Sequence, residues 1–132
     1  MIDHTGINVT NLALSKIFYE SVLAALGYVV RLEIDGAVGF GASEPGSGDD
    51  PGGDFWISEG DPYLPRNHIA FRADGIEQVV AFHEAALVAG AQDNGAPDMR
   101  PHYHKSYYAA FVFDPDGYNI EAVFHAAGKL RR

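Results

Sequence analysis

The chain of 132 residues contains no cysteine. This absence excludes disulfide bonds, thiolate metal ligands and a cysteine nucleophile, so any metal would have to be bound by nitrogen and oxygen atoms. Basic residues are also scarce, because 9 Lys and Arg stand against 18 Asp and Glu and give a formal net charge of −9. Proteins that bind nucleic acids or anionic membranes use a surplus of Lys and Arg to do so. We therefore expect neither as a partner and predict a small organic ligand instead.

Long hydrophobic runs are the next absence. No apolar stretch approaches the roughly 18 residues of a membrane-spanning helix, and the N-terminus lacks the basic and then apolar segment of a signal peptide. The sequence therefore predicts a cytoplasmic protein. With 47% hydrophobic residues, residues 1–132 are expected to form a single domain with a substantial core.

The second half of the chain repeats the first. When His4 is aligned with His68, an offset of 64 residues, the residue types continue to agree. The further matching pairs are Phe18 and Phe82, Glu20 and Glu84, Leu23 and Leu87, and Ala25 and Ala89. Two copies of this length do not fit a solenoid of short units. The repeat instead predicts two fused half-domains related by a pseudo-two-fold axis.

Each half predicts a strand, a helix and three further strands, so the fold class is α+β with two βαβββ modules at 1–60 and 66–126. Period-two alternation indicates the strands, and apolar residues at helical spacing indicate the helices. Asp114-Pro115-Asp116-Gly117 is typical of a tight turn joining the last two strands. The predicted strands are 2–9, 28–34, 37–42, 54–58, 67–73, 92–98, 107–113 and 118–124, and the predicted helices are 11–26 and 75–90.

Three side chains on these strands suggest a metal site. His4 and His68 open equivalent strands and point away from the apolar face, and Glu121 points away from the apolar face of the last strand. Pseudo-symmetry should bring the equivalent strands together at the axis, and a glutamate there is costly unless it is paired, hydrated or bound to a cation. Two imidazoles and a carboxylate suit divalent Fe, Mn, Zn, Ni or Co and leave coordination positions open. The sequence therefore predicts a divalent metal ion on His4, His68 and Glu121.

These features resemble the vicinal oxygen chelate superfamily, which contains glyoxalase I, bleomycin-resistance and fosfomycin-resistance proteins, and extradiol dioxygenases. The resemblance depends on the paired βαβββ plan, on His4, on His68-Ile69-Ala70-Phe71, and on the segment from Tyr108 through the 114–117 turn to Ile120-Glu121. It implies a U-shaped mixed sheet that surrounds a metal or ligand cavity, with the helices on the outer face. It also implies ligands from the first, fourth, fifth and eighth strands, of which His4, His68 and Glu121 match three.

The fourth ligand of that family has no counterpart at the repeat offset. Ile57 lies opposite Glu121 at this offset, and isoleucine cannot bind a metal, so the resemblance to glyoxalase I is incomplete. A small shift of register would allow Glu59 to take this position instead. Three ligands resemble the extradiol dioxygenases, and the function implied is a lyase, an isomerase or a ring-cleaving dioxygenase that chelates vicinal oxygens of a small organic substrate.

The resemblance to extradiol dioxygenases also implies catalytic His and Tyr side chains around the metal. His102, His104 and Tyr108 are our candidates, in a segment that also contains Tyr103 and Tyr107. A histidine near neutrality can exchange protons, and a tyrosine can hydrogen-bond an oxygen on the metal.

Other interpretations stay open at this point. Taken alone, His4 could be an ordinary surface histidine, and His102 and His104 could be solvated loop residues. The alternative function is a ligand binder that resembles the bleomycin-resistance proteins and needs no metal. The resemblance also implies a homodimer, in some members with modules of different chains paired together.

Overall fold

The structure is a computed structural model, of which we describe residues 1–126. It contains eight strands and two helices within this range. In chain order they are β1 (Thr5–Val9), α1 (Leu12–Ala24), β2 (Tyr28–Ile34), β3 (Ala37–Ala42), β4 (Phe55–Glu59), β5 (His68–Arg72), α2 (Ile76–Val88), β6 (Gln92–Met99), β7 (Tyr107–Phe113) and β8 (Asn119–His125). The predicted βαβββ order is confirmed in both halves.

Local sequence explains where the elements begin and end. Helix α1 is capped by Asn11, whose side chain accepts a hydrogen bond from the Leu14 amide at 3.0 Å, and this satisfies one of the free N–H groups of the first turn. The turn between β7 and β8 is held by Asp114, whose Oδ1 accepts the amides of Asp116 and Tyr118 at 2.9 Å. Gly117 has a φ of 89° in this turn, a value that favours glycine.

The eight strands form two separate four-stranded sheets, in the orders β1-β4-β3-β2 and β5-β8-β7-β6. Strand β1 runs parallel to β4 in one sheet, and β5 runs parallel to β8 in the other. All the remaining neighbouring strands are antiparallel. The two sheets therefore have the same topology, as the sequence repeat requires. The described helices are too short or too polar to cross a membrane.

One hydrophobic core contains residues of both modules. Helices α1 and α2 contact each other, and the rings of Phe55 on β4 and Phe71 on β5 pack edge-to-face with centroids 5.1 Å apart. A polar link crosses the same boundary, because the Tyr19 hydroxyl on α1 donates to Asp114 at 2.5 Å. The helix-bearing faces of the two sheets thus meet inside the chain.

The opposite sheet faces are not part of this core. Ile120 and Ala122 of β8 belong to the core cluster, and the intervening Glu121 points to the other side of the sheet. We call this side the open face of the second module, and we use the same term for the corresponding side of the first. Any site that uses Glu121 must lie on an open face.

Candidate metal centre

His68 and Glu121 form the centre of the open face of the second module. Glu121 pairs in register with Ala70, so His68 lies one strand across and two residues away. The Nε2 atom of His68 lies 2.8 Å from Oε1 of Glu121. The Nδ1 atom of His68 lies 2.8 Å from the carbonyl oxygen of Asn119. A carbonyl only accepts, so Nδ1 carries a hydrogen and Nε2 is the nitrogen directed at the carboxylate.

Tyr107 holds the other oxygen of this carboxylate. Its hydroxyl group donates to Oε2 of Glu121 from the neighbouring strand β7. Burial and the carboxylate both raise the pKa of Tyr107 above its ordinary value of 10.0, so the hydroxyl remains a donor at neutral pH. Glu121 itself is only 1% exposed, whereas the His68 side chain is 44% exposed. The carboxylate is therefore fixed in position, with its imidazole partner facing solvent.

This arrangement fits a metal ion. Two ligand atoms about 2.1 Å from the same metal and at right angles to each other lie about 3 Å apart, close to the separation of Nε2 and Oε1. Imidazoles that bind a metal usually donate their other N–H to a carbonyl or carboxylate, and ligating carboxylates are themselves hydrogen-bonded. Asn119 and Tyr107 supply these two contacts. His68 and Glu121 could thus provide two ligands from one module.

His4 is not brought to this pair. It precedes β1, and its Nδ1 lies 2.6 Å from Asp3 in an exposed contact. In residues 1–126 the one group of three or more metal-ligating side chains with all ligand atoms within 4.8 Å is Asp3, His4 and Asp50, all exposed. The hydrogen bond that the His4 imidazole donates to the Asp3 carboxylate raises the pKa of His4. Within a single chain only His68 and Glu121 of the three predicted ligands lie together. The helix-bearing faces of the two modules pack against each other, so the open faces point away from each other.

The fourth-ligand position requires a correction. Gly6 pairs with Trp56 in the first sheet as Ala70 pairs with Glu121 in the second, so Trp56 corresponds to Glu121. Ile57 points into the core and is fully buried. The repeat offset changes by one residue between β1 and β4, and this shift reverses the face of every side chain on β4.

The loop before β4 also shapes this position. Trp56 packs against Gly39, where an added Cβ would lie 2.7 Å from the indole ring and 2.2 Å from the Gly52 carbonyl oxygen. The indole N–H donates to the Gly53 carbonyl at 3.3 Å. The indole ring of Trp56 therefore occupies the position that the Glu121 carboxylate has in the second module. The lack of a side chain at Gly39 permits the close approach of this ring.

Glu59 does not replace the missing ligand. Its Oε1 accepts the amide of Leu12 at 3.3 Å, at the beginning of α1. It shares the strand parity of the buried residues Phe55 and Ile57, which is that of the core face. The hypothesis that a small shift of strand register brings Glu59 to the metal site is wrong. The observed shift of register brings Trp56 to the position equivalent to Glu121.

The choice of Tyr108 as a catalytic residue is also corrected. Tyr108 packs against the hydrophobic core, and the adjacent Tyr107 faces Glu121. Sequence reasoning could have found Tyr107, because the 114–117 turn fixes the pairing of β7 and β8 and places Phe111 opposite Glu121. Side chains on one strand share a face at every second residue, and this rule selects 107 rather than 108.

The two candidate histidines, His102 and His104, lie just before the first residue of β7. The Nε2 atom of His104 lies 3.1 Å from Nδ1 of His125, and its Nδ1 accepts the Ser106 amide at 3.2 Å. The ring of His125 packs edge-to-face on Tyr107 with centroids 5.2 Å apart. The rings of His102 and Tyr103 pack in a tilted arrangement with centroids 4.3 Å apart. His104 is thus joined through His125 to the tyrosine that holds Glu121, whereas His102 is at the exposed margin of the cluster.

A family comparison agrees with this architecture. Residues 1–122 match the model of the Glyoxalase/Bleomycin resistance protein/Dioxygenase superfamily. No match is found among curated protein sequences.

Solved structures of the same kind overlay on most of the chain. A glyoxalase/bleomycin resistance protein from Albidiferax ferrireducens is 25% identical, with a TM-score of 0.74 over 92% of this chain and 96% of the other. A protein of the glyoxalase/bleomycin resistance/dioxygenase family from Burkholderia phytofirmans is 17% identical, with a TM-score of 0.68 over 94% and 98%. The fosfomycin resistance protein FosX from Listeria monocytogenes, complexed with Mn(II) and a dihydroxypropylphosphonic acid, is 20% identical, with a TM-score of 0.66 over 96% and 89%. These overlays agree in fold.

Proposed function

Because the chain belongs to the Glyoxalase/Bleomycin resistance protein/Dioxygenase superfamily, we propose that it is a metal-dependent enzyme acting on a small organic substrate with two neighbouring oxygen atoms. The observation that carries this proposal is the buried carboxylate of Glu121, held between His68 and the Tyr107 hydroxyl. A buried carboxylate facing an imidazole and an open surface is a common metal-binding arrangement. FosX, a protein of the same fold, was solved with Mn(II), which supports the assignment.

The third ligand in this proposal is His4 of a second protomer. In one chain the helix faces of the two modules meet through Phe55 and Phe71, so the open faces cannot close on each other. Both His68 and His4 remain accessible, with side-chain exposures of 44% and 57%. A symmetric dimer that places the first module of one chain over the second module of its partner would join His68 and Glu121 to the partner's His4. It would create two such sites.

Each side chain then has a defined task. A divalent ion, whether Fe, Mn, Zn, Ni or Co, would polarise the substrate oxygens and stabilise the negative charge that develops on them. Asn119 keeps the hydrogen of His68 on Nδ1, and Tyr107 keeps Glu121 from rotating. His104 and His125, at the end of the open face, are placed to accept or release a proton of the substrate. His102 remains a weaker candidate for that role.

A ligand binder that does not act on its ligand is the second candidate. The observation that favours it is Trp56, which occupies the position equivalent to Glu121 and leaves the site without a fourth protein ligand. An indole at this position offers a flat apolar surface on which a planar ligand can stack. This function would depend on Trp56 rather than on a metal.

One experiment separates the two functions. Protein would be loaded anaerobically with Fe(II), Mn(II), Ni(II) or Zn(II), mixed with catechols and hemithioacetals, and assayed for product. The proposed enzyme gives turnover that requires a metal and is lost in Glu121→Gln, while the Tyr108→Phe variant behaves as the parent. Absence of turnover, together with metal-independent binding of planar aromatic compounds that is lost in Trp56→Ala, would establish the binder instead.

A second experiment tests the shared site. Chains carrying His4→Ala would be mixed with chains carrying His68→Ala under mild denaturation and refolded together. Mixed dimers would contain one intact site and one site lacking two ligands, so metal binding returns to about half a metal per chain in heterodimers, although each variant alone binds none. If mixing restores no binding, the third ligand does not come from the partner.

A further inference from the structure

Arg100 lies beside the candidate metal centre on the same open face. Its amide donates to the Tyr107 carbonyl at 2.7 Å, which continues the pairing of Met99 with Tyr108 by one residue. Neighbouring residues on paired strands share a face, so the Arg100 side chain is on the side of Tyr107. Its positive charge also lowers the pKa of Tyr107, against the stronger effects that raise it. Arg100 is therefore close to the group that holds Glu121.

The guanidinium of Arg100 is held in place by neutral groups. Its Cζ lies 5.3 Å from the centre of the Phe111 ring, and Nη2 donates to the Ala96 carbonyl at 2.7 Å. Phe111 is the register partner of Glu121. The same ring stacks with His68, with centroids 6.2 Å apart and an interplanar angle of 27°. Phe111 thus connects the guanidinium with the imidazole of the candidate metal centre.

The charge of Arg100 has no carboxylate partner among residues 1–126. The ion pairs in this part of the chain are Asp3 with His4, Lys16 with Glu33, His68 with Glu121, and His83 with Asp93. This is notable in a chain with twice as many acidic as basic residues and a net charge of −9. Neither Nε nor Nη1 of Arg100 donates a hydrogen bond within the described range, and Nη2 uses one of its two N–H groups for Ala96. One bidentate edge of the guanidinium is therefore available to a ligand.

We propose that Arg100, supported by Phe111, binds the carboxylate of the substrate. A guanidinium presents parallel N–H groups that match a carboxylate bidentately, and the Phe111 ring below Cζ holds the guanidinium beside the candidate metal centre. The substrate class is then a small organic acid whose carboxylate lies on Arg100 while its vicinal oxygens bind the metal that His68 and Glu121 would hold. This last step rests on the proposed function, but carboxylate binding by Arg100 does not require a metal.

The first test of carboxylate binding by Arg100 uses metal-free protein. Benzoate and its neutral analogue benzamide would be titrated separately, following the Arg100 Nε–Hε signal by NMR. We expect benzoate to bind at least about tenfold more tightly than benzamide, although the net charge of −9 repels anions. The preference should disappear in Arg100→Gln, weaken in Phe111→Leu, and persist in Arg31→Gln, which removes an equal charge from the first module. Amide spectra establish that each variant is folded.

Three results overturn the inference. These are the absence of a saturable shift of the Arg100 signal with benzoate, affinity for benzoate no higher than for benzamide, and survival of the preference in Arg100→Gln.

Metal-loaded protein then distinguishes this inference from the proposed function. Catechol and protocatechuate, which is catechol with a ring carboxylate, would be titrated calorimetrically. Both proposals together predict that catechol binds only the loaded protein and that protocatechuate binds at least about tenfold more tightly, through Arg100. Equal affinities for the two compounds contradict the role of Arg100 alone. Benzoate binding through Arg100 without any metal binding would leave the anion site intact and contradict the proposed function.

Discussion

The Nε2 atom of His68 and the Oε1 atom of Glu121 are 2.8 Å apart, on neighbouring strands of one sheet. Each group has a second partner that fixes its orientation, the Asn119 carbonyl for His68 and the Tyr107 hydroxyl for Glu121. A surface ion pair does not require such support. The pair is built as two ligands of a metal site would be.

Removing the hydroxyl group of Tyr107 should weaken metal binding without unfolding the protein. Tyr107→Phe leaves Oε2 of Glu121 without its donor, and loss of a group that orients a ligand typically costs about 10–100-fold in metal affinity. Tyr108→Phe is the matched control, since Tyr108 packs on the core side of the same strand. Calorimetric titration with Zn(II) or Mn(II) measures both. Equal affinities in the two variants would show that Tyr107 does not support the site.

The register of β4 predicts opposite outcomes for two adjacent substitutions. Ile57→Glu places a charge in the fully buried core, which should cost at least about 3 kcal/mol of the free energy of unfolding. Trp56→Glu changes a half-buried side chain on the open face and should cost about 1–2 kcal/mol. Urea unfolding followed by circular dichroism gives both values. The reverse order of stabilities would contradict the register.

Stability should depend on pH through Asp114. This carboxylate is 5% exposed, and burial raises its pKa above the ordinary value of 3.8 in spite of the hydrogen bonds from Tyr19 and two amides, which lower it. The folded protein therefore binds the proton more tightly than the unfolded chain. The free energy of unfolding loses this contribution as the pH rises from about 3.8 through the raised pKa.

Asp114→Asn tests this dependence, because it removes the ionisable group and keeps an acceptor. The free energy of unfolding of the variant, relative to the parent, should improve as the pH rises from below 3.8 to neutrality. A constant difference between Asp114→Asn and the parent across this range would mean that the folded pKa is not raised.

The fold could be predicted because its information is local and repeated. The apolar periodicities of the first half recur in the second, and strand parity alone placed His68 and Glu121 on one face, as the structure has them. The βαβββ order needed no knowledge of long-range contacts.

The wrong predictions depended on distances between modules and on strand registers, which local sequence patterns do not determine. The offset of 64 residues fits β1 and the helices, but the first module has one residue fewer before β4 than the second has before β8, so Trp56 rather than Ile57 corresponds to Glu121. The position of His4 depends on how the modules pack. Contacts such as Phe55 with Phe71, which determine that packing, join residues of different modules. Arg100 and His125 are not among the predicted site residues, because the contacts that bring them near Tyr107 and Phe111 come from neighbouring strands.

The metal content of the protein shows whether His68 and Glu121 bind a metal ion. Protein without a tag would be exposed to Fe(II), Mn(II), Ni(II) and Zn(II) without oxygen, freed of excess metal and analysed by plasma mass spectrometry. Beside the parent we would measure Glu121→Gln, His68→Ala and, as a control for loss of one surface carboxylate, Glu20→Gln. We predict close to one metal per chain in the parent and in Glu20→Gln, and almost none in the other two. A parent without metal, or Glu121→Gln and His68→Ala with as much metal as the parent, would contradict the account.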